Sequence, residues 1–157
     1  MTIIDVQCVL GTNNKYMIKE MSLLGIDDAQ TVQHWIFKHP LIRQDAKSQK
    51  VNKWLERNYH GLTLEHGDVN YKELGNIFKS LKFKQLYVKG LQKQKSIEKY
   101  IPHVSVINME ELGCPRLNQL CDANSNFPCC TFHTNLNPNQ CTFYKVYVLK
   151  KWYVNNT

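Results

Sequence analysis

Three β-rich runs separated by tight turns fill the first 38 residues, and they constrain the fold more than any other feature of the chain. Ile3 to Leu10 is dominated by aliphatic and β-branched residues, Gly11-Thr-Asn-Asn14 has the composition of a hairpin turn, and Tyr16 to Leu24 is the second run. Gly25-Ile-Asp-Asp28 turns the chain again into Val32 to Lys38, which Pro40 ends. Runs joined by connections this short pair as an antiparallel meander.

Beyond the meander the pattern changes. Ala46 to Asn58 has helical spacing, with Val51, Trp54 and Leu55 on one face, and Tyr71 to Leu81 repeats it with Leu74, Ile77, Phe78 and Leu81. Gln85 to Val88 predicts a short buried strand, Lys93 to Tyr100 a helix and Val104 to Ile107 another strand. Glu110 to Pro115 predicts a turn and Leu117 to Cys121 a short helix. The Asn- and Pro-rich stretch Asp122 to Gln140 predicts a loop, and Thr142 to Trp152 a closing helix. At 157 residues, 43% of them hydrophobic, the chain is long enough for one domain with its own core over residues 1–157. Its order predicts the α/β class, with a mixed five-stranded sheet antiparallel on one side and parallel on the other.

The net charge is +7. Lys79, Lys82, Lys84, Lys89, Lys93, Lys95 and Lys99 form a stripe opposed only by Glu98. Such a stripe attracts phosphate backbones without reading their sequence, which predicts nucleic-acid binding; the alternative is a solvated lysine-rich face. Met1-Thr-Ile-Ile-Asp-Val carries neither the basic segment nor the apolar segment of a secretory signal, and predicts an intracellular protein in cytoplasm or nucleus. Apolar runs such as Tyr147-Val-Leu149 fall far short of the roughly 18 residues of a membrane span, so no membrane association is expected.

Six cysteines in a reducing compartment point to thiols and metal ligands before disulfides. Cys130-Thr-Phe-His133 is a C-x2-H pair with Cys141 close behind, and a two-residue spacer brings two ligands to one zinc ion. A fourth ligand has to come from elsewhere in the fold. The alternatives are buried thiols that fill the core, or a Cys141–His133 nucleophile and base, for which no third group is visible. Cys114 reads as core. His34, His39, His60, His66 and His103 lack metal-type spacing and read as turn or packing residues. Trp35, Trp54 and Trp152 read as core rather than as stacking platforms.

Several segments together resemble the DEDDh proofreading-type exonucleases. Ile4-Asp-Val-Gln7 is similar to the family's D-x-E strand, Ile18 to Leu24 to its second strand, and His34 to Pro40 to its third. His60-Gly-Leu-Thr63 resembles an H-G-I-T turn, and Leu86 to Gln94 lies where the second motif, N-x3-D, is found. The resemblance spans Ile3 to Trp152 and implies a ribonuclease-H-like fold. Nucleases of this kind hold two metal ions with carboxylates. Matched residue by residue, Asp5 keeps one carboxylate and Gln7 replaces the next; Gly90 and Gln94 stand at N-x3-D, and Cys141 and Val146 at H-x4-D. An alignment shifted by one residue substitutes Lys93 or Lys145, which suits holding phosphate rather than cleaving it. Loss of exonuclease activity is the expectation.

Within that superfamily the chain is most similar to the Maelstrom domain of the piRNA pathway, which combines the fold with a Glu-Cys-His-Cys zinc site. The resemblance implies Glu20, Cys130, His133 and Cys141 as zinc ligands, with residues 122–140 as the zinc-carrying loop. It also implies single-stranded RNA or a protein of a silencing pathway as partner. Weak, metal-independent cleavage of single-stranded RNA is the enzymatic alternative, and a purely protein-binding adaptor the third reading.

Overall fold

The computed structural model describes residues 1–27, 32–39, 42–120, 127–133 and 140–157. Strands β1 (Thr2–Leu10) and β2 (Tyr16–Gly25) form the first hairpin. A 3₁₀ turn at Thr12–Asn14 joins them, and Asn13 and Asn14 both take φ 57° there, a left-handed conformation that asparagine tolerates better than most residues. The pairing is interrupted once. Gln7 lies opposite Glu20 but Cys8 opposite Ile18, so Lys19 is an extra residue in β2. This bulge reverses the strand's alternation. Ile18, Met21 and Leu23 pack on one side of the sheet, while Glu20, Ser22 and Leu24 face the other.

Lys19 itself is fully buried, and its ammonium donates to the carbonyls of Phe37 (2.7 Å), Leu64 (3.2 Å) and His66 (2.6 Å). Burial lowers its pKa to about 8, and the three carbonyls supply the acceptors a buried ammonium needs. One bulged side chain thereby ties β2 to the segment that follows the first helix.

The sheet runs in the order β4 (Val69–Asn70), β3 (Gln33–Lys38), β2, β1, β5 (Gln85–Val88), β6 (Ser105–Asn108). Strand β3 is antiparallel to β2; β5 is parallel to β1, and β6 to β5. The sheet is therefore mixed as expected, with six strands rather than five. The addition is β4, parallel to β3 and too short to carry a hydrophobic period. It forms because the backbone comes in close at Gly67, where a Cβ would lie 2.6 Å from the Ile36 carbonyl oxygen, and because Asp68 Oδ1 accepts from the Ile36 N–H at 2.9 Å.

Helix α1 (Ala46–Asn58) begins where Asp45 accepts from the Ser48 N–H at 2.8 Å. Its buried residues are Ser48 and Asn52, not the apolar face expected, and Trp54 is 55% exposed rather than core. Asn52 takes the place of a strand neighbour. Its amide accepts from Leu10 N and donates to Leu10 O, both at 2.8 Å, so polar pairing docks the helix. The expected helix over 71–81 is a 3₁₀ turn (Tyr71–Glu73) running into α2 (Leu74–Ser80). Helices α3 (Leu91–Tyr100), α4 (Leu117–Leu120) and α5 (Thr142–Asn156) follow.

Both faces of the sheet are covered. Ile4, Val6, Phe37 and Leu86 pack with Leu74, Phe78 and Ile97 of α2 and α3 on one side; Ile3, Leu24 and Tyr87 pack with Val146 and Leu149 of α5 on the other. Among the described residues no helix is long and apolar enough to cross a membrane. Pro40, Cys121 and most of the expected 122–140 loop lie outside the described residues; Phe127 to His133 is irregular.

Replacing Lys19 by Met removes the ammonium from the Phe37 and His66 carbonyls, while the Leu64 carbonyl keeps the His39 N–H. Stability should fall by about 3 kcal/mol, read as a lower urea midpoint at unchanged slope. His39 gives a pH test: its ring packs 4.4 Å from that of Tyr71, and burial lowers its pKa to about 4 against 6.5 unfolded. The stability of the neutral ring is complete above pH 6.5 and is lost as the pH falls towards 4. His39→Gln keeps a donor for the Ile18 carbonyl without titrating. It should flatten the decline between pH 7 and 4 by more than about 1 kcal/mol in denaturation series.

Candidate metal centre and the neighbouring lysines

Directly after the bulge, Glu20 points to the α5 side of the sheet with no exposure at all. Cys141, equally buried, is the residue that opens α5, and the next N–H, of Thr142, donates to Glu20 Oε1 at 3.0 Å. An unpaired amide at a helix start suits a carboxylate by geometry and by dipole. Cys130 and His133 come from the irregular stretch before α5. The His60 carbonyl holds His133 Nδ1, which leaves Nε2 facing Glu20 Oε2 at 3.1 Å. The sulfurs of Cys130 and Cys141 lie 3.6 and 3.7 Å from the same oxygen.

All four ligand atoms lie within 4.8 Å of one another. A tetrahedron with ligands at 2.0–2.3 Å has edges of about 3.3–3.8 Å, so the cluster can hold a metal ion after small side-chain adjustment. The four residues named in the sequence are those the fold brings together.

The protonation pattern fits the same role. Burial alone would raise the Glu20 pKa, but hydrogen bonds from His133 and His34 hold it well below the usual carboxylate range. A hydrogen bond from the Cys130 thiol pulls Cys141 down to about 5 and pushes Cys130 upward as the donor. Burial disfavours charge on His133, yet its bonds to Cys141 and Glu20 raise it to about 10. At neutral pH the cluster therefore carries a carboxylate, a thiolate, an imidazolium and a thiol. A divalent cation displaces the last two protons and leaves the buried net charge unchanged.

Two residues absent from the expected ligand set hold Glu20 from behind. His34 Nε2 is 2.8 Å from Oε2, and Gln7 Nε2 is 3.2 Å from Oε1 while also donating to the Gln140 carbonyl. His34 was expected to be a turn or packing residue. Its signal was the strand register: Ile36 lies opposite Glu20, and His34, two residues back on the same face, is the diagonal neighbour.

A second polar cluster adjoins the first. Asp5 is 1% exposed and accepts from Lys93 Nζ at 2.6 Å. Burial opposes charge on Lys93, but Asp5 outweighs it and raises its pKa. Lys145, 4% exposed, places its nitrogen 5.7 Å from the centre of the Tyr59 ring; burial and then the charge of Lys93 lower it to about 8. Of the remaining positions compared with a nuclease, Gly90 (φ 115°) precedes α3 and donates to Asn108, Gln94 donates to the Val106 carbonyl, and Val146 is core. Among the described residues no further group of three or more potential ligands meets.

The lysine stripe divides. Lys93 turns inward to Asp5 and Lys89 pairs with Glu110 at 3.1 Å, while Lys79, Lys82, Lys84, Lys95 and Lys99 are exposed around α2 and α3. Cys129 is exposed and outside the metal cluster, Cys114 is buried, and Cys8 is half-buried. Neither a protein-family model nor a curated protein matches this chain.

Gln7→Glu would create a D-x-E sequence on β1. It replaces an amide donor with a second carboxylate against Glu20 and the Gln140 carbonyl. Stability should drop by about 1–3 kcal/mol, measured by denaturant titration, with no gain of magnesium-dependent nuclease activity.

Proposed function

We propose that this chain is a catalytically degenerate, ribonuclease-H-like exonuclease module that binds single-stranded RNA and is closed by a structural zinc ion, of the kind used in small-RNA silencing of transposons. The observation that carries the reading is how the acidic positions are used. Asp5 is neutralised by Lys93, the residue beside it in the motif is an amide engaged with Glu20, and the one ligand cluster among the described residues combines carboxylate, imidazole and two cysteine sulfurs. Hard cations of the nuclease type take oxygen ligands. Soft sulfur with imidazole favours zinc in a closed, four-ligand structural site. The meander β3-β2-β1, with β5 and β6 parallel to β1, supports the exonuclease-like topology. Net charge and the five exposed lysines support phosphate contacts.

Zinc here is a clasp rather than a reagent. Its four ligands join β2 to the stretch before α5 and to the start of α5, so metal affinity and folding stability are coupled. Elemental analysis should find one zinc per chain in the purified protein. Cys130→Ser and His133→Ala should lose it and unfold at lower temperature, and chelation should lower the wild-type melting temperature. Labelled single-stranded RNA should be bound, increasingly weakly as salt rises, and left intact with magnesium or manganese present. Metal-dependent digestion abolished by Asp5→Asn would make the protein an enzyme and end this reading.

A further inference from the structure

Trp54 lies outside all of the cores, 55% exposed on α1, with its ring stacked on Tyr59 at 6.4 Å and 21°. Lys47, Lys50 and Arg57 stand seven and four residues before it and three after it, which places them on its face of the helix. All three cations are exposed, as is Lys53 beside them. Lys47 donates to Asn14 at 2.6 Å, and among the described residues Lys50, Lys53 and Arg57 enter no ion pair. The only acid of the helix, Glu56, lies about 200° round the axis from Trp54. Beyond Trp54, Tyr59 leads inward to Lys145, whose ammonium faces its ring at 5.7 Å.

We infer that Trp54, Tyr59 and the Lys50–Arg57 face of α1 form a stacking platform for single-stranded nucleic acid, separate from the lysines around α2 and α3. The inference rests on the RNA-binding reading and names where that binding occurs. An exposed indole offers a face to any base, and flanking cations track the phosphates on either side; single strands are selected because paired bases have no free face. The lysines around the indole favour nucleic acid over a protein partner, since lysine is depleted in protein–protein interfaces, and the acids nearest the patch are Glu56 on the far side of the helix and Asp45 at its start beside Lys47.

The test is fluorescence anisotropy of a labelled uridine-rich 12-mer RNA with wild type, W54A, W54F, K50E/R57E and K95E/K99E. Trp54 is exposed, so W54A should unfold like wild type, which a melting curve checks. W54A is expected to weaken binding about tenfold, and W54F to restore most of it. K50E/R57E should weaken it further and flatten the dependence of log affinity on log salt by about one. Tryptophan fluorescence quenched by RNA in wild type should lose that quenching in W54F, where Trp35 and Trp152 remain. Wild-type affinity in both W54A and K50E/R57E, with loss in K95E/K99E, overturns the platform and leaves the RNA reading standing. No RNA binding by wild type at low salt overturns both. Binding of a polyglutamate peptide that W54A abolishes, with RNA binding unchanged, assigns the face to a protein and overturns the inference.

Discussion

A carboxylate with no solvent exposure needs a partner for each oxygen, and Glu20 has them from four directions. Gln7 and the Thr142 amide serve Oε1, while His34 and His133 serve Oε2, with the sulfurs of Cys130 and Cys141 beside it. These partners belong to β1, β3, the irregular stretch before α5 and α5 itself. An uncompensated buried charge is among the most destabilising features a protein can carry. The elements around Glu20 are therefore fixed relative to one another by the need to satisfy it. The bulge at Lys19 makes this possible by turning Glu20 to the α5 side, and its own side chain secures the other side of the sheet to the chain beyond α1.

The two polar clusters occupy one face of β1, with Asp5 and Gln7 pointing the same way and Ser22, bonded to Thr142 at 2.7 Å, lying opposite Asp5 across the hairpin. Their chemistries differ. Around Glu20 the ligands are mixed and soft, with protons that a cation can replace. Around Asp5 the charge is already balanced by a lysine, and a second ammonium lies close by, so a divalent cation would meet repulsion there. The same sheet face thus holds one cluster that can take a metal ion and one internal ion pair.

Departures from the expected structure share a physical origin. The closing helix is not among them: Thr142 to Asn156 is helical as expected, because six of its residues are buried against the sheet and the stretch preceding it, which outweighs weak helix propensity. Helix α1 turns Asn52 rather than Val51 or Trp54 to the protein, because two hydrogen bonds to the Leu10 backbone satisfy a strand end that would otherwise be unpaired. Strand β4 depends on a close backbone approach at Gly67 that no pattern of two residues can announce. His34 becomes a partner of Glu20 only through the pairing of β2 with β3.

By itself the sequence determined the meander, the positions of the main helices, the placement of β5 and β6, and the candidate ligands Cys130, His133 and Cys141. Those are local properties: periodicity, turn chemistry and ligand spacing act over a few neighbouring residues. Only the tertiary structure decided which lysines face water and which turn inward, that Trp54 lies on the surface, and that a glutamate from β2 meets a histidine and two cysteines more than a hundred residues away. Burial and charge pairing are set by everything that packs around a side chain, and that surrounding exists only once the sheet has closed.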